Sequence, residues 1–157
     1  KTRVRVLERG LKLPLPSVIR YLKELEEELL IKSEIISSIK LYSANRASKI
    51  FILEKKLYNI RALYTCGLVD RIVEKYHNPT IVVFGSYVLG EDVESSDIDL
   101  YIETPKKELV NLKTFEKKLK REIQIFCYRN LKAVENKELA NSILNGLTLN
   151  GFLVVFK

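Results

Sequence analysis

Residues 80–104 constrain the fold more than any other stretch of this chain: Thr-Ile-Val-Val-Phe-Gly-Ser-Tyr-Val-Leu-Gly-Glu-Asp-Val-Glu-Ser-Ser-Asp-Ile-Asp-Leu-Tyr-Ile-Glu-Thr. Ile81 to Phe84 is a short apolar run rich in β-branched residues, the pattern of a strand buried on both faces, and it stops at Gly85. No breaker occurs from Ser86 to Leu89, so a short helix is expected to begin at Ser86. Its hydroxyl and the neighbouring N–H groups would form an anion site at the positive end of that helix, where a phosphate would sit. Glu94-Ser-Ser carries turn chemistry. Asp97 to Glu103 then alternates strictly, with Ile98, Leu100 and Ile102 on one face and Asp97, Asp99, Tyr101 and Glu103 on the other. Two carboxylates therefore share one face of one strand.

Such a pair is costly on a strand, through poor propensity and mutual repulsion, and it calls for a counter-charge. A divalent cation supplies one. Mg²⁺ is held by a few carboxylates together with phosphate oxygens, so a phosphate cradle at Gly85-Ser86 beside Asp97 and Asp99 suits a metal–nucleotide complex. An isolated Asp-x-Asp is more often the solvated acidic face of a surface strand. What gives this one weight is the combination with the upstream strand and Gly-Ser turn, ten residues separating Ser86 from Asp97.

The apolar strand, Gly85-Ser86 and the later Ser96-Asp97-Ile98-Asp99-Leu100 resemble the signature of the minimal nucleotidyltransferases, small relatives of the DNA polymerase β and kanamycin nucleotidyltransferase fold. The resemblance runs from the helix before the strand to the C-terminus. It implies that Gly85 and Ser86 hold a nucleoside triphosphate, ATP or another, and that Asp97 and Asp99 bind Mg²⁺. The sequence departs from the family pattern twice. Tyr87 stands where a basic residue usually follows Gly-Ser, and Gln124 stands at the position matching the third carboxylate of a later strand. On that strand, Glu122 to Cys127, alternation puts Glu122 and Gln124 on the same face, so Glu122 is the one carboxylate able to replace the missing one. Gln124 is the residue expected to point at the metals.

Charge divides the chain unevenly. Up to Ile60 it has 13 basic and 7 acidic residues, and from Arg61 onward 14 and 13, so nearly all of the +7 net charge lies in the first part. A basic segment of this kind suits a polyanion. Val4, Val6, Leu7 and Leu11 among Arg3, Arg5 and Arg9 read as an amphipathic helix ending near Gly10, broken by Leu-Pro-Leu-Pro at 13–16. A second helix is expected from Ser17, with Val18, Ile19, Leu22, Leu25 and Leu29 inward and Arg20, Tyr21, Lys23 and Glu24 outward. Two helices joined by a tight turn have the order of a helix-turn-helix, with Ser17, Arg20, Tyr21 and Lys23 as the residues to meet double-stranded DNA. Leu30 to Ile36 and Ile39 to Tyr42, joined at Ser37-Ser38, read as a hairpin where a winged helix has its wing. Leu41 to Asn45 resembles the close of that wing in small archaeal and bacterial regulators. Against this stand Glu26-Glu27-Glu28, which repel phosphates unless the helix start leads the docking. The bland alternative is a solvated basic face.

Ser48 to Tyr76 reads as two helices separated at Gly67, the first with Ile50, Leu53, Leu57, Ile60 and Leu63 in one register, the second with Leu68, Ile72, Val73 and Tyr76. No Pro/Gly-rich linker intervenes, so the two modules are expected to hold a fixed relation or to meet across a homodimer. His77 reads as a helix-end residue. A lysine-rich helix is expected over Lys106 to Lys120, another over Leu131 to Leu144, and one or two short strands over Leu147 to Phe156 around Gly151. Cys66, Cys127 and the single His77 cannot make a four-ligand zinc site, and both thiols are expected to be buried. Lone cysteines, no secretory pattern and no apolar run near the ~18 residues of a membrane span lead us to expect a cytoplasmic protein. The absence of methionine leads us to expect that the natural start lies upstream of Lys1.

The expected fold is α+β: a winged helix-turn-helix over residues 1–60, then a small mixed-sheet nucleotidyltransferase-like domain over 61–157. Two functions remain open from sequence. One is Mg²⁺-dependent transfer of a nucleotidyl group to a hydroxyl. The other is a DNA-binding regulator whose second domain senses nucleotide or dimerises. Because relatives of the small domain act as antitoxins that modify a helical protein, the resemblance also implies a protein acceptor or partner.

Overall fold

The computed structural model describes residues 1–105 and 110–155. The chain divides into two compact units, Lys1–Glu54 and Lys55–Lys157.

The first unit opens with α1 (Val4–Leu11) and α2 (Leu15–Glu27). α1 ends at Leu11, next to Gly10 as expected, where Lys12 turns left-handed, φ 55°. α2 begins two residues before the expected Ser17, because Pro14 sits at the cap and Pro16 fits the first turn, where its missing N–H costs nothing. Val18 and Leu22 are buried, whereas Ile19 and Leu29, expected inward, are about half exposed. Leu29 falls outside the helix, at φ 61°, since α2 ends at Glu27. β1 (Ile31–Ile36) and β2 (Ile39–Ala44) pair antiparallel, with Ile36 opposite Ile39. Ser37 and Ser38 both have positive φ, 48° and 63°, the signature of the type I′ turn that matches strand twist. Thr2 bridges Tyr42 through two 2.9 Å hydrogen bonds, so β2 is paired on both edges there. Glu26 accepts from Ser33 Oγ and from Lys40 Nζ at 3.2 Å, pinning the end of α2 to the hairpin. Those two donors, Ser33 first, hold its carboxyl below the usual range.

α3 (Lys49–Thr65) begins in the first unit and ends in the second. Its inward residues differ from the expected register. Asn59 and Leu63 are buried, while Ile50, Leu53 and Leu57 are about half exposed. Asn59 turns inward because its amide finds acceptors there, as described below.

In the second unit, α4 (Leu68–Tyr76) follows Gly67 and ends at His77, whose left-handed backbone donates N–H to Val73 O. β3 (Thr80–Phe84), β4 (Ile98–Glu103), β5 (Ile123–Tyr128) and β6 (Leu147–Asn150) form one sheet in the order β5-β4-β3-β6. β4 and β5 are parallel and the other pairs antiparallel, which makes the sheet mixed. Both faces are covered. On one, Ile81, Val83, Ile98, Leu100 and Ile102 pack with Leu63, Leu68 and Ile72. On the other, Val82, Phe84 and Tyr101 pack with Leu131, Val134 and Ile143. Ile72 is wholly buried, and side chains of its kind contribute about 1.5–3 kcal/mol each by leaving water.

Three expectations for this unit are corrected. Among the described residues, after the short helix α5 (Ser86–Leu89), the lysine-rich helix is α6 (Lys113–Leu119), with Val110–Leu112 irregular before it. The part of that expectation on Lys106 to Leu109 lies outside the described residues. Leu131 to Leu144 is not one helix but a 3₁₀ turn, Leu131–Ala133, followed by α7 (Lys137–Leu144). Asn130 and Asn136 each cap with a side-chain carbonyl, which starts a new turn at each asparagine instead of continuing one helix. β6 meets the expectation of one or two short strands over Leu147 to Phe156; Gly151 at φ 69° then turns the chain out of the ladder, residues 152–155 form no further strand, and Phe156 lies outside the described residues. Cys66 and Cys127 are free and half-buried rather than buried. No described helix is long and apolar enough to cross a membrane.

Candidate functional site

β3 ends at Phe84, and Gly85 turns the chain into α5 (Ser86–Leu89) with φ 77° and ψ −162°, a conformation open to glycine and strained for other residues. A second constraint acts on the same atom. A Cβ on Gly85 would lie 2.6 Å from Oδ2 of Asp99, so the carboxylate occupies the space that a side chain would fill. The antiparallel register produces this contact, since Phe84 is the partner of Asp99 across β3 and β4. Gly85, Ser86, Asp97 and Asp99 are thus gathered at one end of the sheet.

Across the parallel pair, Asp99 stands opposite Gln124. The Gln124 amide reaches diagonally to Asp97, Nε2 donating to Oδ2 at 2.6 Å. Among the described residues no third Asp, Glu, His or Cys joins Asp97 and Asp99 in a metal-holding group. Glu122 is exposed just before β5 and lines, with Asp97, Lys113, Lys117, Lys120 and Arg121, a groove of about 610 Å³. A smaller cavity of about 260 Å³ opens on the Gly85 side, bounded by Val88, Asn141 and Asn145. Burial first, and then the neighbouring Asp97 charge, push the Asp99 carboxyl above the usual range. Two hard oxygen ligands beside a Gly-Ser turn fit Mg²⁺ that completes its shell with phosphate oxygens, and do not fit an all-protein cage.

Tyr87 does not reach into this site. Its ring is buried with Leu63, Leu68 and Ile98, and burial, with the Asp92 charge second, pushes its hydroxyl up to about 12.

The residues singled out in the first unit lie along α2. Ser17 is half-buried in the first turn, and Arg20, Tyr21 and Lys23 are exposed. Arg20 lies 5.0 Å above the Tyr21 ring and 3.6 Å from Glu24, and Lys23 is 3.7 Å from Glu27. Exposed pairs of this type are worth less than about 1 kcal/mol, so a phosphate can displace either carboxylate. Glu26 faces the hairpin instead.

Sequence reasoning missed the polar cluster behind the site. Asp92 is only 1% exposed and meets Lys55 Nζ at 2.9 Å, Asn59 Nδ2 at 2.8 Å and Arg121 Nη2 at 3.4 Å. One signal was available: Asn59 and Leu63 are four apart on a helix, so burying Leu63 turns an amide inward with it.

No curated protein and no solved structure matches the chain. The model of one family, described as the nucleotidyltransferase domain, matches residues 66–146. That span starts just before α4, takes in the Gly-Ser turn, Asp97 and the strands bearing Asp99 and Gln124, and covers just over half of the sequence, so the chain belongs to the nucleotidyltransferase domain family.

Proposed function

We propose that the second unit binds a nucleoside triphosphate with Mg²⁺ at Gly85, Ser86, Asp97 and Asp99, and that it transfers a nucleotidyl group weakly or not at all. The observation that carries this reading is the Gln124 amide on Asp97. When bound, the metal would neutralise the carboxylate pair and the phosphates and polarise the reacting phosphoryl group. The protein's own share is positional. Gly85 lets the backbone approach the phosphates and leaves room for Asp99, while Ser86 offers its hydroxyl and N–H. Deprotonating an acceptor hydroxyl needs a base, and an amide takes no proton near neutral pH. Gln124 can therefore orient Asp97 without serving as that base.

For the first unit, α1 and α2 followed by a hairpin with a tight turn support the reading as a winged helix-turn-helix. Together with the concentration of positive charge before Arg61, this supports a double-stranded DNA reader led by Arg20, Tyr21 and Lys23. The combined reading is a nucleotide-responsive DNA-binding regulator. The second reading, an active transferase, draws on Glu122, which lines the same groove as Asp97.

Calorimetric titration of ATP with and without Mg²⁺ tests the nucleotide site, and incubation with [α-³²P]ATP tests transfer. Binding that requires Mg²⁺ and disappears in the Asp97→Asn, Asp99→Asn double variant is expected. Equal Mg-ATP affinity in that variant would remove the site. For DNA, Arg20→Ala with Lys23→Ala should weaken duplex binding and lower its salt slope by about 1 for each phosphate that is no longer neutralised. Unchanged duplex binding would remove the role given to α2.

A further inference from the structure

Among the described residues, Asp92 is the one charged side chain that is buried from solvent. It lies in the loop between α5 and β4, and its partners come from separate parts of the second unit. Lys55 and Asn59 are on α3, and Arg121 immediately precedes the residues leading into β5. Lys55 Nζ also donates to the backbone carbonyl of Asp92 itself. The Asn59 amide is shared, donating at 2.8 Å both to Asp92 Oδ1 and to the carbonyl of Tyr87.

These interactions converge on the segments that carry the candidate ligands. Tyr87 directly follows Ser86. Asp92 sits in the loop that ends at Asp97. Arg121 leads into the strand of Gln124, and it lines the same groove as Asp97. A buried carboxylate with two cations is a poor way to gain stability, because desolvating the ions offsets what their pairing returns and a packed apolar cluster of similar volume often does as well. Leaving one member without its partners is strongly destabilising, so the cluster enforces one arrangement of the loop.

We propose that Asp92, Lys55, Asn59 and Arg121 are positioning residues that hold the Ser86 turn and the Asp97 loop in the geometry that Mg²⁺ and the triphosphate require. The proposal rests on the nucleotide-binding reading above. Groups of this kind act through the ligands they orient, and their loss typically costs about 10–100-fold in metal affinity.

The test compares ATP binding by calorimetry at several Mg²⁺ concentrations, with the folded state followed by circular dichroism and thermal melting. Asp92→Asn is expected to weaken Mg-ATP binding by about tenfold and to raise the Mg²⁺ concentration needed for half-saturation. The raised Mg²⁺ requirement is the readout that a merely structural role, which would lower the melting temperature alone, does not move. Lys55→Met should do the same, and Lys55→Arg, which keeps the charge, should restore binding. If Asp92→Asn does not fold, Lys55→Met and Arg121→Gln carry the test, since both side chains are 18% exposed and their removal strips less of the cluster. A folded Asp92→Asn or Lys55→Met protein with the parent's affinity and Mg²⁺ requirement overturns the positioning role and leaves nucleotide binding intact. Absence of Mg-ATP binding in the parent overturns the nucleotide reading, and this role with it, before any substitution is made.

Discussion

The Gln124 amide nitrogen on β5 lies 2.6 Å from Oδ2 of Asp97, the residue just before β4, reaching it diagonally past its register partner Asp99. Alternation along β5 puts Glu122 on the same face, but Glu122 precedes the strand and stays exposed in the groove. An amide thus occupies the position next to Asp97 that a carboxylate would need in order to join the pair.

Gln124→Asp is therefore expected to raise transferase activity from its weak or absent parental level, measured with [α-³²P]ATP, and to tighten the dependence on Mg²⁺. Without Mg²⁺ the same variant should melt at a lower temperature, because three carboxylates then repel. Glu122→Gln should change little. Robust parental turnover that vanishes in Glu122→Gln would make Glu122 the third carboxylate.

Gly85→Ala meets two penalties, the positive φ and the approach of Asp99 Oδ2 to 2.6 Å. Gly67 shares the positive φ, 84°, but has nothing within 4 Å of its Cβ position. Gly67→Ala should therefore cost about 1 kcal/mol for the backbone alone, and Gly85→Ala about 1–3 kcal/mol more, in urea unfolding. Equal costs would show that the approach of Asp99 is unimportant to stability.

Asp99 gives the metal-free protein a pH dependence. Its carboxyl titrates higher when folded than in the unfolded chain, because of burial and then Asp97, so the folded state binds the proton more tightly. The stabilisation from protonating Asp99 is gained as pH falls through the raised folded value, and the penalty of the ionised form is fully present above it. Asp99→Asn should raise the melting temperature at neutral pH and flatten this part of the profile. Saturating Mg-ATP should raise the melting temperature of the parent and not of the variant. A variant that melts below the parent at neutral pH, without Mg²⁺, contradicts the assignment.

The hairpin offers a test independent of ligands. Ser37 and Ser38 both hold positive φ, which Asn-Gly adopts more readily. Replacing them as Ser37→Asn with Ser38→Gly should stabilise the first unit by about 0.5–1 kcal/mol, read as a shift in its urea midpoint. A decrease in stability would mean that the serine side chains contribute interactions of their own.

Local pattern was enough for much of this protein. The strict alternation from Asp97 to Glu103 and the apolar run ending at Gly85 set β4, β3 and the turn between strand and α5, because strand period and glycine chemistry are properties of adjacent residues. Ser37-Ser38 between two strand-like runs likewise marked the hairpin. Sequence also narrowed the third position to Glu122 or Gln124 and favoured Gln124, but the hydrogen bond from that amide to Asp97 comes from the pairing of Asp99 with Gln124 across two strands. The Asp92 cluster left one local trace, Asn59 four residues before Leu63 on α3. Asp92 stands among polar loop residues, and Lys55, Asn59 and Arg121 reach it from sequence separations of 29 to 37 residues. Asn59 was hidden in an apolar helical pattern for the same reason: periodicity reports which face a helix buries, whereas the acceptors waiting on that face are supplied by other segments and exist only once the chain has folded.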